Sequence, residues 1–373
     1  MEKDVTERFV RVCQKLDELR FAGTTDWGVL GPNIFKNPRL APSTRLFLFW
    51  LCSIIDQFYG YTTIWTKGEK AMLRLLEGTP RSFSDVDEKM QNLRKDRRGR
   101  TMGDIYIENG RFALVRDDYE RIKNTFEFLE QYGNREKDFG TAFVETLAGL
   151  LSRCAGNKGI LKFAYFLDGG LFSGITVSTN PSTSELRMFQ KKPRKRLWMF
   201  IMFLRRDPAV LNLFREALTE VCDGNVSSNL FNTWEDVSRF DPKEVELPGD
   251  MWNVRLFAAL LSELPSFLEK SPKDARVLAR ELATRYSISP SAFDVTFELG
   301  ANRCRSLECD QCPFGENTLC HKGTEKACSI SEWLFPYYEK DSRGEICSAK
   351  DCPIAKDIGK NICSRQVDRE VQH

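Results

Sequence analysis

STRLFLFWLCSII, running from Ser43 to Ile55, puts apolar side chains on nearly every face once it is wound into a helix. Pro42-Ser43 just ahead of it is a helix-start signal. A helix without a polar face belongs in the middle of others, so this stretch predicts a buried central helix and an α-helical surround. Working outward, Asp118 to Tyr132 (DYERIKNTFEFLEQY) sets Ile122, Phe126 and Leu129 four and three apart, with Gly133 as a stop. Leu197 to Leu204 is a further apolar helix. Met251 to Leu264 aligns Val254, Phe257, Leu261 and Leu264 on one face, and Asp274 to Tyr286 does the same with Val277, Leu278 and Leu282.

Strand signals are few. Ile105 to Val115 (IYIENGRFALV) contains an Asn109-Gly110 turn and predicts a small hairpin. Asp168 to Glu185 (DGGLFSGITVSTNPSTSE) is rich in Gly, Ser and Thr and reads as a long loop or insertion. No solenoid repeat, Walker motif or GxGxxG pattern is present. The expected fold is therefore mostly α.

The N-terminal MEKDVTERFVRVCQKLDELRF is charged and amphipathic, with no apolar core segment and no small-residue cleavage site, which points to a cytoplasmic protein. Leu46 to Ile55 is too short to cross a bilayer and runs into Asp56-Gln57, so no membrane partner is expected. The formal charge of +2 is close to neutral, yet basic residues crowd into Arg94-Lys95-Asp96-Arg97-Arg98-Gly99-Arg100 and Lys191-Lys192-Pro193-Arg194-Lys195-Arg196. Phosphate binding needs a local basic face and not a basic protein. A solvated loop or helix end is the alternative reading of each run.

Eight of the twelve cysteines lie beyond Gly300: Cys304, Cys309, Cys312, Cys320, Cys328, Cys347, Cys352 and Cys363. The first four, spaced C-x4-C-x2-C-x7-C, can converge on one metal or one iron–sulfur cluster, whereas disulfides would need an oxidising compartment. Few large apolar residues accompany them, so metal ligation would supply order that a core cannot. Residues 1–300 are thus expected to form a helical domain and 301–373 a Cys-rich extension.

The order of these motifs resembles the helix-hairpin-helix DNA glycosylase superfamily, the endonuclease III-like group. Phe297-Glu298-Leu299-Gly300 followed by the cysteine row is similar to that family's last helix and its C-x6-C-x2-C-x5-C [4Fe-4S] loop. Leu247-Pro248-Gly249-Asp250-Met251-Trp252-Asn253-Val254-Arg255 resembles its V-D-x-H-x-x-R segment, with Asp250 and Arg255 in register. Lys195-Arg196-Leu197-Trp198-Met199-Phe200 looks like the K-R-L-x-M-F helix of a little-characterised prokaryotic branch, and aligns Lys195 with the catalytic lysine. Ile54-Ile55-Asp56-Gln57-Phe58-Tyr59 is similar to the segment whose glutamine fills the gap left by a flipped base.

The resemblance implies a mostly α, two-lobed domain with the active site between its lobes. It also implies a monomeric DNA repair glycosylase, with or without lyase activity, that acts on damaged duplex DNA. Asp250 and Lys195 would be catalytic. Gln57, Tyr59, Lys191, Lys192, Arg194, Arg196 and Arg255 would contact DNA. Cys304, Cys309, Cys312 and Cys320 would hold a [4Fe-4S] cluster, with zinc as the alternative, and Cys328, Cys347, Cys352 and Cys363 are candidates for a second metal. An Asp after Pro-Gly and before a helical pattern is also a good N-cap, where backbone N–H groups favour its charged form. Two departures keep a noncatalytic nucleic-acid-binding protein open: Trp252 stands where many members carry His, and Lys191–Arg194 lacks the family hairpin's glycines. A redox or metal-handling protein without a nucleic-acid role is the third reading.

Overall fold

A computed structural model describes residues 10, 13–14, 34, 37–55, 67–90, 94–95, 101–108, 110–132, 137–154, 156, 158–175, 178–190, 195–238, 272–294, 338–340 and 346–348. The chain divides into two compact units, Glu18–Pro248 and one that joins Met1–Asp17 to Gly249–His373. The described residues are mostly helical, as expected.

Along Glu18–Pro248 run α1 (Pro42–Ile54), α2 (Glu69–Leu76), α3 (Phe83–Asp87), β1 (Arg94–Lys95), β2 (Thr101–Ile107), β3 (Gly110–Val115), α4 (Arg116–Tyr132), α5 (Phe139–Leu151) and α6 (Gly159–Leu167). A π-helical turn (Asp168–Phe172), α7 (Thr183–Gln190), α8 (Lys195–Arg206), α9 (Pro208–Val221) and α10 (Gly224–Ser238) complete it.

Helix α1 is enclosed, with every residue from Leu46 to Ile54 buried. Its aromatic side chains make the core: Phe47 meets Phe126 edge-on at 5.4 Å and Phe143 at 5.2 Å, while Trp50 meets Phe200 edge-on at 4.8 Å. Edge-to-face geometry adds quadrupole attraction to the burial term. The helix has Pro42 in its first turn and no side-chain cap of its own. Glu220 of α9 supplies one from 177 residues away, accepting from the Ser43 backbone N–H at 2.8 Å and from its hydroxyl at 3.2 Å. Arg45 reaches Glu216, one turn earlier on α9, at 2.9 Å.

The expected hairpin is present and gains a strand. β2 and β3 pair antiparallel with Ile107 opposite Gly110, and β1 adds to β2 with Arg94 opposite Met102. Ile105, Phe112 and Leu114 are buried, and so are Ile122, Phe126 and Leu129 of α4, as their spacing predicts.

The segment Asp168–Glu185, expected to be a loop, is partly helical. Asp168–Phe172 extends α6 as a π turn, and α7 starts at Thr183. The π turn packs tightly on α4: a Cβ on Gly170 would lie 2.9 Å from the Phe128 ring. Thr125 donates its hydroxyl to the Leu171 carbonyl at 2.7 Å and accepts from Trp50 Nε1 at 3.2 Å, so the turn is tied to α1.

In the other unit, α11 (Pro272–Tyr286) buries Ala279, Leu282 and Ala283, and a 3₁₀ turn follows at Pro290–Asp294. Val277, expected on the buried face, is 45% exposed; the two alanines shift the apolar stripe away from it. β4 (Tyr338–Lys340) and β5 (Ile346–Ser348) form an antiparallel pair with Cys347 opposite Glu339. Met251–Leu264 lies outside the described residues.

Two glycines of α5 make opposite predictions. A Cβ on Gly140 would stand 2.8 Å from the Thr44 backbone nitrogen, so Gly140→Ala should push α5 off α1 and cost about 1–3 kcal/mol. Gly149 has nothing within 4 Å, and Gly149→Ala should be neutral or stabilise by about 0.5–1 kcal/mol. Urea unfolding of the two variants beside the wild type checks both signs.

Candidate nucleic-acid site

Of the sequence-predicted site residues, Lys195 and Arg196 fall among the described elements, at the start of α8, and Cys347 falls in β5. Helix α7 begins with a reciprocal cap. The Ser182 backbone N–H donates to Glu185 Oε2 at 2.7 Å, and the Glu185 N–H donates to Ser182 Oγ at 3.2 Å. This is the S-x-x-E capping box, readable in Pro181-Ser182-Thr183-Ser184-Glu185. The Ser182 backbone N–H, and then its hydroxyl, hold the Glu185 carboxyl below the usual glutamate range.

From that start α7 turns Leu186 and Phe189 inward, both 3% exposed, and leaves Arg187 and Met188 outside, Met188 at 64%. Phe189 meets Tyr165 of α6 edge-on at 5.7 Å and Trp198 of α8 at 6.3 Å. The two helices on either side of Lys191–Arg194 are thereby packed through aromatic rings. Residues 191–194 themselves lie outside the described set.

Helix α8 opens at Lys195 and closes on Arg205 and Arg206. Cations in its last turn complement the negative end of the helix dipole. Lys195 stands at the other end, the end whose dipole and orphan N–H groups favour a bound anion. Leu197, Trp198, Phe200, Ile201 and Phe203 of the same helix are buried, so its start is fixed by the core. Arg196, next to Lys195, is half-buried.

The exit of α1, which leads to Asp56-Gln57, is held by residues that the sequence did not single out. Arg121 of α4 donates from Nη1 to the Ile54 carbonyl at 3.1 Å and lies 5.0 Å from the centre of the Phe172 ring. Asp118, fully buried one turn earlier, sits 3.4 Å from the same Nη1. The only sequence signal was an Asp and an Arg three apart, a pattern common on exposed helices. Gln57 and Tyr59 lie outside the described residues.

Asp250, Arg255, Cys304, Cys309, Cys312, Cys320, Cys328, Cys352 and Cys363 also lie outside the described residues, and of Cys347 only its strand register is described. Among the described residues no group of three or more His, Cys, Asp or Glu could hold a metal ion. Cys52 and Cys154 are buried thiols whose pKa values burial pushes up, Cys154 to about 12, which keeps them protonated and inert. Among the described residues no helix is long and apolar enough to cross a membrane. No protein-family model matches the chain, and neither a curated protein nor a solved structure matches it.

A depressed carboxyl stabilises the fold above its unfolded pKa and stops doing so as the pH falls through the folded one. Glu185→Ala should therefore lower the unfolding midpoint at neutral pH. The difference from wild type should shrink on acidification through the carboxylate range, as read by urea titrations at several pH values.

Proposed function

We propose that the chain is a DNA N-glycosylase of the helix-hairpin-helix kind, excising a damaged or mismatched base from duplex DNA. What carries the reading is the α7–α8 junction. Five cations fall within the six residues Lys191–Arg196, leading into the first turn of a helix whose apolar side is anchored in the core. A helix N-terminus preceded by such a run suits phosphate binding twice over, by dipole and by charge. Lys191, Lys192, Arg194 and Arg196 would hold the backbone, and Arg255 would add a further phosphate contact.

The base must leave the stack to be reached, at a cost of a few kcal/mol that is smallest for damaged or mismatched pairs. Gln57 would fill the vacated space, and Tyr59 would stack on a neighbouring base. Asp250, held ionised, would stabilise the positive charge that develops on the sugar as the C1′–N bond breaks and its electron pair leaves with the base. The base takes up a proton as it departs. In the bifunctional form the neutral Lys195 amine attacks C1′, loses a proton and becomes a Schiff base as the sugar ring opens. In the monofunctional form Asp250 takes a proton from an attacking water.

Cys304, Cys309, Cys312 and Cys320 would form a four-thiolate set suited to a [4Fe-4S] cluster or to zinc, with a structural and not a chemical role. Cys328, Cys347, Cys352 and Cys363 could hold a second metal. A noncatalytic nucleic-acid-binding protein is the second reading, favoured by Trp252 and by the lack of glycine in Lys191–Arg194.

Borohydride trapping and base release across a panel of lesion-bearing duplexes test the reading. A covalent adduct is expected with wild type and not with Lys195→Gln. Asp250→Asn should slow base release by about a hundredfold or more. Base release without an adduct assigns the monofunctional form; neither product, with DNA binding intact, assigns the binding protein. Protein purified without oxygen should contain iron and sulfide and absorb broadly in the visible, and Cys309→Ser should lower all three. Zinc alone would separate the cysteine row from the glycosylase reading.

A further inference from the structure

Helix α7 turns an unusual set of side chains to solvent. Leu186 and Phe189, both 3% exposed, hold its inner side, and the Phe189 ring is braced by Tyr165 of α6 and Trp198 of α8. Arg187 and Met188 are thereby directed outward, and Ser184, one turn before Met188, is exposed as well. Met188 is 64% exposed, more than any other large hydrophobic residue among the described ones. From Gly169 to Gln190 the one carboxylate is Glu185, half-buried, with its Oε2 engaged by the Ser182 N–H and hydroxyl at 2.7 Å each. The outer face of α7 thus combines a guanidinium, a hydroxyl and an apolar tip, with no exposed carboxylate to repel a polyanion.

We infer that Met188 is a wedge that enters a base step of duplex DNA and kinks it, with Arg187 on a neighbouring phosphate. This role deepens the function proposed above and rests on it, because a kinked and partly unstacked duplex gives up a base more readily. A lone exposed methionine is common and by itself marks nothing. Its setting gives it a use. The Arg187 guanidinium has the planar fork that matches two phosphate oxygens, and Met188 beside it supplies a neutral, unbranched and polarisable tip that can slide between base pairs. Leu186 and Phe189, seated in the core behind it, give the helix the backing that a wedge needs. The task differs from that of Gln57, which would fill the space left by the departed base. An anionic membrane attracts arginine too, but attachment there draws its strength from several apolar side chains, and the outer face of α7 has one.

The test uses the full chain and a duplex with a single tetrahydrofuran abasic analogue, which fixes the register, and with 2-aminopurine placed at each flanking position in turn. Fluorescence of 2-aminopurine reads unstacking, and anisotropy over a salt series reads affinity. Wild type should raise the fluorescence at one flank or more. Met188→Ala should remove most of that rise and weaken binding on the order of tenfold. The slope of log K against log salt should stay at its wild-type value in this variant, since a neutral side chain releases no counterions. Met188→Leu should keep both the rise and the affinity, which guards against a folding artefact. Arg187→Ala should lower the steepness of the slope by about 0.9 and leave the rise of the saturated complex in place. Val226→Ala, at a 49% exposed apolar position on α10, should change neither readout.

An unchanged rise in Met188→Ala, or equal losses in Met188→Ala and Val226→Ala, overturns the inference. So does wild-type protein that leaves the duplex unbound, or binds it with no rise at any flank. Self-association of wild type that Met188→Ala abolishes, with the fluorescence unchanged, assigns the methionine to a contact between copies of the chain and overturns it too. A rise lost in Met188→Ala, with no base released from any lesion by wild type, leaves the wedge standing and removes the glycosylase reading. An unchanged rise with base release intact does the reverse.

Discussion

A helix with no solvent face cannot be stable until something encloses it, and α1 is that helix. Nine consecutive residues, Leu46 to Ile54, are buried. At about 1.5–3 kcal/mol for each large side chain taken out of water, this one segment gains more than any single contact elsewhere could supply. It gains nothing until its neighbours arrive. Phe126 of α4, Phe143 of α5 and Phe200 of α8 close around it from different parts of the chain. The start of α8, and with it Lys195, inherits its position from that closure.

Enclosure also forces an account of polar groups. The Trp50 indole N–H finds Thr125, whose hydroxyl is passed on to the Leu171 carbonyl inside the π turn. A π turn widens the helix and changes which carbonyls have partners, and here a side chain from α4 takes one of them. The Ile54 carbonyl at the other end of α1 is taken by Arg121. Buried ion pairs seldom add net stability, so the Asp118–Arg121 pair is better understood through what it orients than through what it holds together.

The parts legible in the sequence were those governed by local periodicity and turn chemistry. An all-apolar run announced α1, Asn109-Gly110 announced the hairpin, and Ile122, Phe126 and Leu129 announced the inner face of α4. Asp168–Phe172 was misread because its glycines resemble a loop, whereas the small size of Gly170 lets the π turn press against Phe128. Val277 was misread because alanine carries a weak periodic signal and yet packs a helix closely. At the candidate site, the basic run and the helix start at Lys195 were readable from charge and pattern. Arg121 was not, because its role depends on a carbonyl 67 residues away, and local spacing carries no trace of that distance.

The Glu220 carboxylate at the start of α1 has a temporal side. During synthesis, Ser43 leaves the ribosome 177 residues before Glu220. At typical translation speeds of about 5–20 residues per second the interval is roughly 9–35 seconds. Throughout it, one of the most apolar segments in the protein has neither its cap nor the α8 and α9 walls that enclose it. The nascent chain therefore carries an exposed greasy helix for close to half of its synthesis, and a molecular chaperone has its clearest reason to engage there.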